Sequence, residues 1–291
     1  MEPIEVEVRR GGVLESRHRV HAAVIDAGSL TMQAGDPGLV AFLRSSAKPL
    51  QALPLVRART DLTDEELAIS CASHLARPEQ LAAVRRLLAA APATEDELEC
   101  GPEPTPLEHN CSGKHAGFLA LCRAHGWPSE GYRLHGHRVQ QACLAEVAAA
   151  AEVAIEDVPT AIDGCGVLTF ALPLERMAFA FARLPTLEGG ERVTRAMRAY
   201  PDHIRGPLAA DSLLMRLAPG WTAKGGAEGL MCASGPEGLG LALKVEDGNT
   251  RATRPALAEL LRRMGLDLPE LAVVEVRNNR GEVVGDLVAR S

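Results

Sequence analysis

44-RSSAKPLQALPLV-56 lies where strand-like sequence gives way to helical sequence, and it sets Ser45-x-x-Lys48 at that border. Residues three apart share a helix face, so a serine at a helix start can meet a lysine one turn later. Pro49 suits the first turn of such a helix, and Pro54 makes it short or kinked. The lysine is the informative residue. Of 31 basic side chains only Lys48, Lys114, Lys224 and Lys244 are lysine, and the rest are arginine. Arginine keeps its proton in a protein, whereas a desolvated lysine can lose it and act as a base near neutral pH. The same spacing also suits a capped surface helix with a solvated lysine, so the rest of the chain has to decide.

Upstream, Ile4, Val6 and Val8 alternate with charged residues and predict a strand. A turn at Gly11-Gly12 leads to a strand VLESRHRV, then to HAAVID with a turn at Asp26-Ala27-Gly28. Downstream, about 61–155, alanine, leucine, arginine and glutamate recur at helical spacing, starting from an acid-rich first turn after Thr63. From about 162 the texture is again strand-like: VLTFALPLERMAFAFARL reads as strand, as does LGLALKVEDGN. A helix, RPALAELLRRMG, then precedes two strands joined at Asn279-Arg280-Gly281. Segregated strands and helices predict α+β, an antiparallel sheet flanked by helices. Pairing of the first strand with the last would tie both ends together, so residues 1–291 are expected to form a single domain.

Composition limits the function. The 46% hydrophobic content supplies a core, and 3% aromatic content means that Leu, Ala and Val build it. A net charge of −7 lacks the basic face that nucleic acid needs. No G-x-G-x-x-G or Walker loop is present, so no nucleotide is expected. The N-terminus has no basic and apolar signal pattern, and no apolar run is long enough to span a bilayer. With seven cysteines, an odd number, reduced thiols in the cytoplasm are expected.

The other lysines have suggestive neighbours. Lys114 sits in 109-HNCSGKHAGFLALC-122, before an apolar helix. Lys224 sits in 221-WTAKGGAEGL-230, where Lys-Gly-Gly at a strand edge matches the Lys-Thr-Gly that accompanies Ser-x-x-Lys in serine β-lactamases. Ser73, in 70-SCASHLARP-78, is the candidate serine between them. Cys111 and Cys165, with Asp163 in 162-IDGCGVLTF-170, offer soft and hard ligands suited to Zn²⁺. Buried structural cysteines fit the same spacing, since C-x-x-C and paired histidines are absent. His74 and His115 are further candidates, as ligands or as hydrogen-bonded core histidines.

Taken together, FLRSSAKPLQALPLV, SCASH, HNCSGKHAGFLALC, IDGCG with FALPL behind it, and AKGGAEG resemble the rhizobial-type L-asparaginases, the asparaginase II family. The stretches keep that family's order and span nearly the whole chain. The resemblance implies a fold like the serine β-lactamases and glutaminases, a homodimer, and hydrolysis of L-asparagine to L-aspartate and ammonia. It implies two Ser–Lys pairs, Ser45 with Lys48 and Ser73 with Lys224, and a zinc site at Cys111, Lys114 and Cys165. For the zwitterionic substrate, Arg44 and Asp163 are the candidate carboxylate and ammonium partners, with His115 also on the substrate side. The chain departs from the family pattern at Leu75–Gln80, which puts Arg77 near a proposed catalytic serine, and at Leu168. The residues leave open which of Ser45 and Ser73 is the nucleophile. They also leave open a glutaminase or a β-lactam or peptide hydrolase, and a zinc- or amino-acid-binding protein without turnover. Comparison of substrates separates the first two, and tight binding without turnover identifies the third.

Overall fold

The computed structural model describes residues 1–102 and 104–290. Its strands are β1 (Ile4–Arg10), β2 (Val13–Asp26), β3 (Ser29–Ala34), β4 (Val40–Phe42), β5 (Thr160–Ile162), β6 (Leu168–Pro173), β7 (Thr222–Gly225), β8 (Leu230–Ser234), β9 (Gly240–Val245), β10 (Val273–Arg277) and β11 (Val283–Ala289). The main sheet is antiparallel, in the order β10-β11-β1-β2-β9-β8-β7, with β3 also paired to β2. Strand β1 pairs with β11 from Val6↔Ala289 to Arg10↔Gly285, so the two ends of the chain share one sheet as expected. A smaller sheet runs β4-β6-β5.

The period of two along each strand sorts side chains between two layers. On one face Val20, Ala22, Val24, Ala223, Met231, Ala233, Leu241 and Leu243 pack with the helix Thr253–Arg263. On the other, Ala23, Ile25, Leu230, Cys232 and Ala242 meet the helical middle. Lys224 follows Ala223 and lies opposite Cys232, so alternation sends its long side chain into the helical layer.

Two helices of that layer carry the segments of interest. Asp64–Ser70 opens on a capping box: Glu66 N–H donates to Thr63 Oγ1, and Thr63 N–H donates to Glu66 Oε2. Three acids in its first turn suit the helix dipole. The helix stops just before Cys71–Ser73. The second helix, Ser112–His125, ends on Gly126 in the left-handed region. Gly113 crosses the first helix so closely that any β-carbon would strike the Ile69 carbonyl. That approach places Ser112 and Lys114 beside the end of the first helix.

Two strand readings need correction. VLESRHRV and HAAVID form one continuous strand of 14 residues. VLTFALPLERMAFAFARL is strand only to Pro173, and Leu174–Arg183 is helix. Met177, Phe179 and Phe181 mimic alternation, but Phe179 is only half-buried, while Leu174, Met177, Ala178 and Phe181 are buried at helical spacing. The opening stretch is also broken: a 3₁₀ turn Arg44–Ala47, then short helices Lys48–Gln51 and Leu53–Ala58, each with proline in its first turn. Among the described residues no helix is long and apolar enough to cross a membrane.

Candidate active site

Ser73 is the meeting point. Its Oγ lies 3.0 Å from Lys48 Nζ and 3.0 Å from Lys224 Nζ. Both lysines are fully buried and Ser73 is 5% exposed. The loop that carries Ser73 is pinned at two points: its N–H donates to the Ile204 carbonyl at 2.7 Å, and His74 N–H donates to the Asn110 carbonyl at 3.1 Å. Lys48 also donates to the Ala72 carbonyl, and Lys224 to the Gly225 carbonyl at 2.7 Å. The expected Ser73–Lys224 contact is present. Lys48, however, reaches Ser73 and not Ser45. Ser45 lies in a 3₁₀ turn and Lys48 begins the next helix, with its amine directed to the Ala72–Ser73 loop.

Burial is the largest influence on both lysines, and it favours the neutral amine. It holds Lys48 below the ordinary lysine range, with the Lys114 charge adding to the effect. It brings Lys224 down to about 7, with Lys48 and Arg205 adding and Asp211 opposing. The Ser73 hydroxyl has a single proton. With one amine neutral and one charged, it can donate to the first and accept from the second.

Ser45 is half-buried, and its carbonyl accepts from Lys48 N–H at the end of the 3₁₀ turn. The residue before it, Arg44, holds φ +49°, a left-handed conformation costing on the order of 1 kcal/mol for a non-glycine residue. The small sheet keeps it there. Arg44 N–H donates to Thr169 Oγ1 on β6 at 3.0 Å, and its Nε donates to Asp163 Oδ1, just past β5, at 2.6 Å. Asp163 Oδ1 also accepts from Gly164 N–H at 2.7 Å. Arg44 and Asp163 therefore meet as a partly buried ion pair at the rim of the site. Gly226 closes the opposite wall: a β-carbon there would lie 2.8 Å from the Leu43 carbonyl and 3.0 Å from Ser46 Oγ.

A second cluster surrounds Lys114. Its Nζ donates to Cys165 Sγ at 3.0 Å, and Cys111, Lys114 and Cys165 are all buried. Burial alone would lower the Lys114 amine, but Cys165, Cys111 and Asp163 together hold it above the ordinary lysine range. The two thiols split: Cys165 beside it, with help from Lys48 and Lys114, lowers Cys111, while Cys165 itself is raised. Among the described residues no three His, Cys, Asp or Glu side chains form a metal cluster. The donors here are two sulfurs and an amine, soft to borderline ligands that suit Zn²⁺ if the amine gives up its proton.

His115 is fully buried against Tyr132 and Phe118. Its Nδ1 is 2.7 Å from the Tyr132 hydroxyl, which accepts from Glu99 N–H, while Nε2 has no partner among the described residues. His74 bridges two segments, with Ala76 N–H donating to its Nδ1 and its Nε2 lying 2.8 Å from Ser112 Oγ. Burial lowers it to about 4, so it is neutral at pH 7. Arg77, at the departure from the family pattern, pairs with Glu79 at the surface. The same segment is anchored by Gln80, which accepts from Leu75 and Arg77 N–H groups and donates to the Asp202 and Arg205 carbonyls.

Sequence reasoning missed Thr169, Ser46 and Asp211. The Ser46 hydroxyl donates to the Lys224 carbonyl at 2.9 Å. Asp211 is a fully buried carboxylate 3.9 Å from Lys224. All three act across long sequence separations that no local motif records.

A family model described as L-asparaginase II matches residues 6–289. No curated protein matches the chain. Among solved structures, Mglu in its native form is 16% identical over 86% of this chain and 66% of its own, with a TM-score of 0.50. Mglu in its glutamate form is 14% identical over 89% of this chain and 66% of its own, with a TM-score of 0.52. The chain thus spans 66% of the length of these Mglu chains. A probable glutaminase from Bacillus subtilis is 13% identical over 86% of this chain and 85% of its own, with a TM-score of 0.38. The Mglu likeness shows the fold, an antiparallel sheet flanked by helices of the serine β-lactamase and glutaminase kind. With its family model covering nearly the whole length, the chain belongs to the L-asparaginase II family.

Proposed function

We propose that the protein is an L-asparaginase that hydrolyses the side-chain amide of L-asparagine by Ser–Lys chemistry. The observation that carries this reading is one hydroxyl, Ser73 Oγ, held between two fully buried lysine amines. Ser45 is the nucleophile because it is the more accessible serine. Its Oγ bonds to the amide carbon, and its proton passes to the Lys48 amine, directly or through Ser73. Collapse of the tetrahedral intermediate breaks the C–N bond. Ser73 gives its proton to the leaving nitrogen and takes one from Lys224, so ammonia departs. Water then cleaves the aspartyl ester to release aspartate and regenerate Ser45. Arg44 and Asp163 would part to take the substrate's carboxylate and ammonium.

Zn²⁺ would be held by Cys111, Lys114 and Cys165. There it would stabilise the thiolates and fix the wall of the pocket that carries Cys165 and Asp163. Its proposed role is in affinity, with the nucleophile coming from Ser45. The expected assembly is a homodimer in the cytoplasm.

The test is ammonia release from asparagine, glutamine and a chromogenic β-lactam. This reading expects asparagine to have the highest kcat/KM. A preference for glutamine would make the protein a glutaminase on the same relay. No turnover of any of the three, with tight aspartate binding, would make it an amino-acid-binding protein.

A further inference from the structure

Lys48 donates to the Ala72 carbonyl and Ser73 Oγ and also faces the Cys111 thiol. Lys224 lies 3.9 Å from a buried carboxylate, Asp211. Asp211 stands in the first turn of the helix Ala210–Leu217 and is 1% exposed. Its Oδ2 accepts from Gly225 N–H at 3.0 Å and its Oδ1 from Ser212 N–H at 3.0 Å. Each oxygen is tied to backbone, so the carboxylate cannot swing away from the strand that carries Lys224.

We propose that Asp211 is a positioning residue for Lys224: its carboxylate holds that amine in the charged form and in place at Ser73 Oγ. Lys224 thereby serves as the acid of the relay. The inference rests on the Ser–Lys relay proposed above and names its proton donor. Several charged or titratable groups face Lys224. Lys48, on its own short helix, and Arg205, just beyond the Ile204 carbonyl that holds Ser73, both oppose a second positive charge. Cys111, ahead of the helix Ser112–His125, favours it from farther away, and Asp211 favours it at 3.9 Å. Burial and two cations would otherwise favour the neutral Lys224 amine. An opposite charge at that distance in a buried site offsets them.

The chain has four lysines, so labelling them with carbon-13 at Cε gives four signals, and the one missing in K224M is Lys224. In D211N the Lys224 titration midpoint should move to lower pH by about one unit or more, as loss of a neighbouring opposite charge requires. D211E should bring it back toward the wild-type value. If D211N does not fold, D211S gives the same reading. A Lys224 midpoint unchanged in a folded D211N or D211S would overturn the proposal. The titration needs no turnover. Absence of ammonia release would therefore sink the relay alone, whereas an unmoved midpoint would sink the role of Asp211 alone. If both hold, the limb of the pH–rate profile governed by Lys224 moves toward acid in D211N.

Discussion

Lys48 and Lys224 at Ser73, and Lys114 between two thiols, are equally buried and titrate in opposite directions. Burial penalises the charge on all three. Around Ser73 it prevails over the opposing pull of Cys111 on Lys48 and of Asp211 on Lys224. Around Lys114 it loses, because Cys111, Cys165 and Asp163 supply compensating negative charge. The difference shows that retaining lysine over arginine is informative only together with its neighbours. At Ser73 a removable proton makes a base, whereas between the thiols it makes a ligand that must be stripped by a metal or else remain an ion-pair partner.

The comparison breaks most visibly at the reacting serine. S45A is expected to reduce kcat for asparagine by at least about 10³-fold, since nucleophile and base act as a unit. Retained activity in a folded S45A would move the nucleophile to Ser73. K48M and S73A should each cost about 10²–10⁴-fold in kcat, the usual scale of lost proton transfer. In both, KM should change little if the residues act in chemistry more than in binding.

The thiol side should give a smaller effect on turnover and a larger one on metal. Metal analysis should find zinc in the wild type, and C165S should bind it about 10–100-fold more weakly. The loss should appear mainly in KM. An unchanged metal content in C165S would remove Cys165 from the ligand set.

Acid stability sharpens the electrostatic contrast. His74 is buried neutral and lowered from 6.5 to about 4. The unfolded chain therefore takes up this proton first as pH falls. Stability should decline from about pH 6.5 down to about pH 4, by on the order of 3 kcal/mol in total. H74Q keeps a donor for Ser112 but cannot titrate, so its thermal midpoint should fall less between pH 6.5 and 4. An identical acid profile for H74Q and wild type would contradict the assignment. The smallest effect is expected for R77A: an exposed pair with Glu79 is worth about 0–1 kcal/mol, so activity should stay within about twofold.

Much of this was legible in the sequence because it is local. Alternation at Ile4–Val8 gave β1, the acid-rich turn after Thr63 gave a helix start, and lysine scarcity picked out Lys48, Lys114 and Lys224. What was not legible depends on tertiary reach. Lys48 reaches a serine 25 residues away, and Lys224 reaches the same serine across 151 residues. Thr169 and Asp211 look ordinary in sequence because only the fold brings them their partners, Arg44 N–H for the one and Gly225 N–H with Lys224 for the other. The helix Leu174–Arg183 was hidden because its aromatic and methionine residues happen to alternate.

The most direct test of the Ser–Lys account is to quench the protein in acid during turnover of asparagine and map the covalent product by peptide mass. The account predicts an aspartyl ester on the peptide that contains Ser45, absent in S45A and present in S73A if the second step slows as well. An ester on the Ser73 peptide, or asparagine turnover with no ester on either serine, would contradict it.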